Sequence, residues 1–374
     1  MNPSFLPLIR RSLGLLFALL LLGAAPLRAA YLLIPMDGAQ KNHLKAYGIA
    51  YWTLERDVEV MWLLNYRGGS FMCKYADAIE KEMVIRGVSY QIIADAQSSA
   101  LLQEIADPAV NQEVIKLTKA PKVAIYSPKT RQPWDDAVTL VMSYAEIPYD
   151  VIYDPEVLSG VLPMYDWLHL HHEDFTGQYG KFWYAYRNAS WYREDQAMSE
   201  QIAAEQGFAK VSQLKLAVAK KIREFVAGGG YLFAMCSAPD SYDVALAADG
   251  VDICDVMFDG DPMDPQAQSK LNYDNCFAFK DFKISTSPYE YEISTIDVTP
   301  QTRNLGEKND FFTLFEFSAK WDPVPTMLCQ SHETVLKGFM GQTTAFNKQH
   351  IKPEVLIMGE TRSANEARYL HGNY

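Results

Sequence analysis

The sequence predicts an α/β fold: a doubly wound parallel sheet preceded by an N-terminal βαβ portion. Three observations predict it. Short apolar runs alternate with amphipathic helical stretches, as when crossover helices join parallel strands. The clearest helix, Val211 to Val226, runs into Gly228-Gly229-Gly230 and then directly into the apolar run Tyr231 to Met235. That run stops at Cys236-Ser237-Ala238, ahead of Pro239-Asp240, so a strand turns into a helix with a thiol at the corner.

Taken in order, the chain opens with Arg10 and Arg11, the apolar run Leu13 to Leu22, and then Gly23, Ala24 and Ala25. This is the pattern of a secretory leader, cleaved near Ala29 or Ala30. The run is too short for a membrane span, and no cysteine follows it to accept a lipid. We therefore expect residues 1–30 to be a signal peptide and the remainder to be exported, periplasmic or extracellular. A strand is expected at Tyr31 to Met36, a helix at His43 to Glu55 with Leu44, Tyr47, Tyr51 and Leu54 on one face, and a strand at Val58 to Leu64. The same order returns as strand Lys122 to Ser127, helix Trp134 to Glu146 and strand Tyr149 to Tyr153. Pro35 stands as far before Val58 as Pro128 before Val151, so both read as parallel βαβ units of similar size.

Between them lie an expected helix at Tyr75 to Arg86, a strand at Ser89 to Ala94 and a helical stretch from Leu101 to Leu117. The break at Lys119-Ala120-Pro121 divides an N-terminal α/β portion, 31–120, from a main domain, 121–374. There a strand spans Tyr165 to His171, an aromatic-rich helical region spans Tyr179 to Gln206, and the helix to Val226 carries the stripe Leu214, Val218, Ile222, Phe225 and Val226. Beyond Cys236, Phe279 to Val298 reads as β-like and Val355 to Met358 as a buried strand.

Loss of the leader removes three arginines and no acid, taking the formal net charge from −12 to −15. So acidic a surface argues against nucleic acid and anionic membrane as partners. Cys73, Cys236, Cys254, Cys276 and Cys329 include no C-x-x-C pair, which argues against a zinc ribbon. Cys254 with Cys276 is a possible bridge, and Cys236 is expected to stay free. His171, His172, Glu173 and Asp174, after the Tyr165 strand, are candidate ligand contacts in a cleft beside Cys236 and Ser237. Two imidazoles and a carboxylate there also allow metal-assisted hydrolysis, the last-ranked reading; no metal and no cofactor is expected. Phe182, Trp183, Tyr184, Tyr186, Trp191 and Tyr192 either stack on a ligand or pack onto the sheet. Asp259-Gly260-Asp261-Pro262 reads as a solvated acidic turn, and Arg67-Gly68-Gly69-Ser70 as a loop that could cradle an anion.

Phe225-Val226-Ala227-Gly228-Gly229-Gly230-Tyr231-Leu232, leading to Cys236, resembles the helix, glycine turn and nucleophile strand of the class I glutamine amidotransferase-like superfamily. The flavour is that of its ThuA-like and biotin-ligase N-terminal-like members. The resemblance implies a flavodoxin-like sheet from about residue 121 onward. It also implies a thiol nucleophile at Cys236, with either His332 and Glu333 in the place of the family's activating pair or that pair lying beyond residue 374. The family elbow is G-x-C-x-G, where this chain has Ala234-Met235-Cys236-Ser237-Ala238. Tyr369 to Tyr374 resembles the entry to the family's final strand, so that strand is expected to be missing from the C-terminus. The whole chain also resembles exported Bacteroidota-type proteins called asparagine synthetase B. That activity would need an N-terminal cysteine and an S-G-G-x-D-S phosphate loop, and neither is present. Two functions are carried forward: a thiol-dependent amide hydrolase, and a catalytically silent domain binding a glycan, peptide or protein in the same cleft.

Overall fold

The computed structural model describes residues 29–128, 137–297, 311–314, 318–321, 335–337, 346–361 and 366–368. The leader expected at 1–30 lies almost wholly outside them. The chain divides into two compact units, Met1–Thr118 and Lys119–Tyr374.

In the first unit the order is β1 (Ala29–Ile34), α1 (His43–Leu54), β2 (Val60–Leu64), β3 (Ser70–Lys74), α2 (Asp77–Arg86), β4 (Gln91–Ala94), α3 (Asp95–Ala106) and β5 (Glu113–Leu117). These strands form one sheet in the order β4-β1-β3-β2-β5, and every pairing is antiparallel. The expected parallel βαβ unit is therefore corrected. β3 inserts between β1 and β2, the split βαβ arrangement of ferredoxin-like topologies.

The cause is the turn at Asn65 to Gly69, where Asn65, Arg67, Gly68 and Gly69 all have positive φ and reverse the chain into a hairpin. A Cβ on Gly68 would lie 2.4 Å from the Met36 carbonyl oxygen, so only glycine fits. Arg67 is bound to Asp37 at 2.7 Å. The segment expected to be a loop that could cradle an anion is thus a strand turn whose cation is already paired. Leu33, Met61, Leu63 and Met72 pack against Leu101 and Ile105 of α3 to form a core.

The second unit contains a four-stranded parallel sheet. Its strands are β6 (Val123–Tyr126), β7 (Asp150–Ile152), β8 (Trp167–Leu170) and β9 (Tyr231–Ala234), in the order β7-β6-β8-β9. The order reverses at β6, where the chain goes first to one side and then to the other. Ala124 and Tyr126 join a core with Leu168, Leu170, Leu214, Val218 and Ile222. Val123 and Ile125 join another with Met142. The helices include α4 (Ala137–Ala145), α5 (Asp154–Leu158), α6 (Trp183–Tyr186), α7 (Ser190–Glu205), α8 (Val211–Ala227) and α9 (Ala238–Ala247), followed by the short α10 (Val256–Asp259) and α11 (Ala267–Lys270). Alternating residues of β6 thus face different helices, as a sheet covered on both faces requires.

Gly228, Gly229 and Gly230 end α8 with backbone bonds to Glu224, Val226 and Phe225. A Cβ on Gly230 would meet the Phe225 ring at 2.2 Å, so this glycine is set by close packing beneath the strand. One stripe position of α8 is a lysine. Lys215 lies buried with Nζ 3.0 Å and 2.8 Å from the two Asp154 oxygens, 2.9 Å from Tyr126 Oη and 3.0 Å from Tyr153 Oη. Tyr126 also donates to Asp154. This network ties β6, the end of β7 and α8 together at the point where the strand order reverses.

Cys254 donates to the Thr176 carbonyl and Cys276 to the Asp243 carbonyl, and both thiols are free, so the bridge considered between them is not formed. Val355 to Met358 is not a strand; the next strand begins at Gly359. Between 279 and 297 there are isolated bridges and one short hairpin rather than sheet strands. A further antiparallel sheet, which the sequence reading did not anticipate, joins β10 (Phe311–Leu314), β11 (Val335–Lys337), β12 (Phe346–Asn347), β13 (Gly359–Thr361) and β14 (Glu366–Arg368). Among the described residues no helix is long and apolar enough to cross a membrane.

Candidate functional site

Cys236 occupies the corner between β9 and α9. Its φ is +58°, in the left-handed region that costs an ordinary side chain ~1–2 kcal/mol. The reversal leaves the residue exposed at the carboxyl end of the parallel sheet, where open α/β sheets bind ligands.

The segment after β8 is stitched to the first turn of α9. Ser237 Oγ donates to the His172 carbonyl at 3.1 Å, and Ser241 Oγ to the Glu173 carbonyl at 3.0 Å. His171, His172, Glu173, Asp174 and Ser237 are therefore gathered beside Cys236. His171 and His172 share a hydrogen between Nδ1 atoms 3.1 Å apart. Glu173 is buried and accepts the His171 N–H at 3.0 Å, which removes that backbone donor from any oxyanion site. Asp174 accepts from Thr176 N, Thr176 Oγ1, Gln178 N and Gly180 N at 2.7, 2.6, 2.8 and 3.1 Å. Its carboxylate is spent on holding the loop. His332 and Glu333 lie outside the described residues.

The electrostatics around the sulfur oppose activation. Burial of its surroundings pushes the Cys236 thiol pKa up, hydrogen bonds from Ser237 pull it down, and the carboxyl groups of Asp240 and Asp297 push it up again. None of these groups is an imidazole or a cation, whereas a reactive thiolate needs one or the other.

Asp240 was passed over in the sequence because an acid in the first turn of a helix reads as ordinary capping. It is 5% exposed, and its Oδ1 has no hydrogen-bond partner among the described residues. Burial, and then the charge of Asp297, raise its pKa well above the usual carboxylate range.

As for metals, His169 is buried with its ring stacked on Phe233, centroids 5.5 Å apart. Among the described residues, only Asp252, Cys254 and Asp259 bring three potential ligand atoms within 4.8 Å of one another. Lys210 already enters that cluster, 2.5 Å from Asp252 and 3.0 Å from Asp259, and it also binds Asp261. Its ammonium supplies the charge that a bound cation would bring.

No family model matches the chain, and neither a curated protein nor a solved structure is found to be similar to it.

Proposed function

We propose that this is an exported, amidotransferase-like α/β protein that binds its ligand in the Cys236 cleft without thiol chemistry at neutral pH. One observation carries this reading: an exposed cysteine at the ligand-binding end of a parallel sheet has its thiol pKa raised, first by burial of its surroundings and then by the Asp240 and Asp297 carboxyl groups. Among the described residues, the cleft offers the shape of an elbow without its activating charge.

The test is the pH dependence of Cys236 alkylation by iodoacetamide, followed by peptide mass spectrometry. The expected reaction at pH 7 is slower than that of a free thiol, gaining speed only in alkaline solution. Rapid alkylation at pH 6 to 7 would sink the silent reading.

The left-handed φ of Cys236 favours a second reading, thiol-dependent hydrolysis of a C–N bond. It assigns Cys236 as nucleophile, His332 as base and Glu333 as the group orienting that base. Rapid alkylation that is lost in His332→Ala would support this alternative.

A further inference from the structure

Two segments far apart in sequence build a shelf of aromatic rings near the cleft. The first is the loop from Tyr179 to Tyr192. The second is a hairpin in which Ile284 pairs with Ser294, closed by Ser285 N to Ile293 O at 2.8 Å and Thr295 N to Lys283 O at 2.9 Å. Tyr291 lies 5.6 Å from Phe182, and Tyr289 lies 6.1 Å from Trp183 and 5.3 Å from Tyr184, centroid to centroid. Interplanar angles of 44°, 81° and 68° mean that the rings brace one another largely edge-on. The rings are nevertheless exposed: Tyr289 is 65% exposed, Tyr184 58% and Tyr291 51%.

The shelf is held from beneath. Lys181 is buried and donates to the Ser285 carbonyl at 3.1 Å, from a turn in which Tyr179, Gly180 and Lys181 all have positive φ. Three successive residues in that region mark a shape fixed by its surroundings.

Acidic groups gather around Tyr291. Glu290 and Glu292 flank Tyr291 in the sequence, and Tyr291 is also within electrostatic reach of Cys236, Asp240 and Asp297. Of the nearby cations, Lys181 is buried, Arg187 lies over the Trp183 ring at 4.8 Å and the Tyr184 ring at 5.9 Å, and Arg193 donates to the Arg187 carbonyl at 3.2 Å. An aromatic face here already accepts a cation. Among the described residues, the buried Asp240 Oδ1 has no hydrogen-bond donor.

Resting on the binding reading above, we propose that this shelf stacks the sugar rings of a glycan bearing free amino groups, with Asp240 taking a hydrogen bond from one ammonium. Several exposed rings suit a chain of flat sugars better than one inserted side chain. An extended peptide finds less here, because the Ile284 N–H on the hairpin's outer edge is already taken by Gln268 Oε1 at 2.9 Å.

Isothermal titration of the mature chain with a β-1,4-linked glucosamine tetrasaccharide, its N-acetylated counterpart and tetralysine tests the proposal. The glucosamine oligomer should bind about tenfold more tightly than either of the others. Tyr289→Ala and Tyr291→Ala, both at exposed positions, should each weaken it about tenfold. Asp240→Asn should bring the two saccharides within about twofold of each other, with unchanged circular dichroism. Equal affinity for the two saccharides, tighter binding of tetralysine, or no binding by any probe overturns the proposal. A reactive Cys236 with the saccharide preference intact would overturn the silent reading alone, so the two failures are separable.

Discussion

Replacing Lys215 with methionine removes the only positive charge in the Tyr126, Tyr153, Asp154 and Lys215 network while keeping much of its volume. Burial works against the Lys215 charge, but Asp154 and Tyr153 outweigh it and hold its pKa above the ordinary value. Lys215 is therefore charged at neutral pH. Asp154 is 0% exposed, and both its carboxylate oxygens lie within 3.0 Å of the lysine nitrogen. Breaking such a pair from one side strands a charge in the core, at a cost of about 3–5 kcal/mol. Asp154→Asn/Lys215→Met removes both charges, and the sum of the single costs should exceed the double by at least about 2 kcal/mol. The assay is urea unfolding followed by far-UV circular dichroism, fitted with a separate transition for each compact unit. A Lys215→Met loss below about 1 kcal/mol, or additive single and double losses, would refute the claim that this network pins the sheet.

Two further outcomes follow from local packing and charge. Gly230→Ala should destabilise the protein by about 1–3 kcal/mol, because the new methyl would occupy space held by the Phe225 ring, and Phe225→Leu should recover part of that loss. If Gly230→Ala melts like the wild type, the turn is looser than the packing implies. Asp243 accepts backbone bonds from Phe277, Ala278 and Phe279, yet burial outweighs them and raises its pKa to about 6. A carboxyl whose folded pKa lies above its unfolded value contributes stability that is complete below pH 3.8 and is lost as pH rises through 6. This is a loss of about 3 kcal/mol. The wild type should accordingly lose stability relative to Asp243→Asn between pH 4 and 7, measured by urea unfolding at each pH. Parallel profiles would show that the three N–H bonds, not burial, control this group.

How legible these features were depended on whether the signal was local. The Leu214, Val218 and Ile222 stripe and its glycine stop identified α8 because helix period and termination are properties of neighbouring residues. The same reading passed over Lys215, whose spacing fits the stripe, because the lysine is stabilised by Asp154 from another element. β5 was merged into a helix because Val114, Ile115 and Leu117 prolong the apolar pattern after α3. The N-terminal sheet was read as parallel because β3 lies between its partners, and strand order is settled by tertiary pairing rather than by period. Within the site, His171 to Asp174 could be placed beside Cys236 from strand adjacency alone. The meeting of Phe182 with Tyr291 could not, since nothing in either segment points to the other across a hundred residues.

The helix that carries the Cys236 corner is buried along its whole length apart from Pro239, whereas the rings around the cleft stand on two surface segments. Floor and walls can therefore vary independently. A change in α9 disturbs the core of the second unit, but a change at Tyr184, Tyr289 or Tyr291 disturbs only what the cleft presents to solvent. The arrangement gives the chain an interchangeable recognition surface on a fixed base. For engineering, exchanging the tip of the 283–295 hairpin is the route to a new ligand preference, with the corner and its helix left untouched.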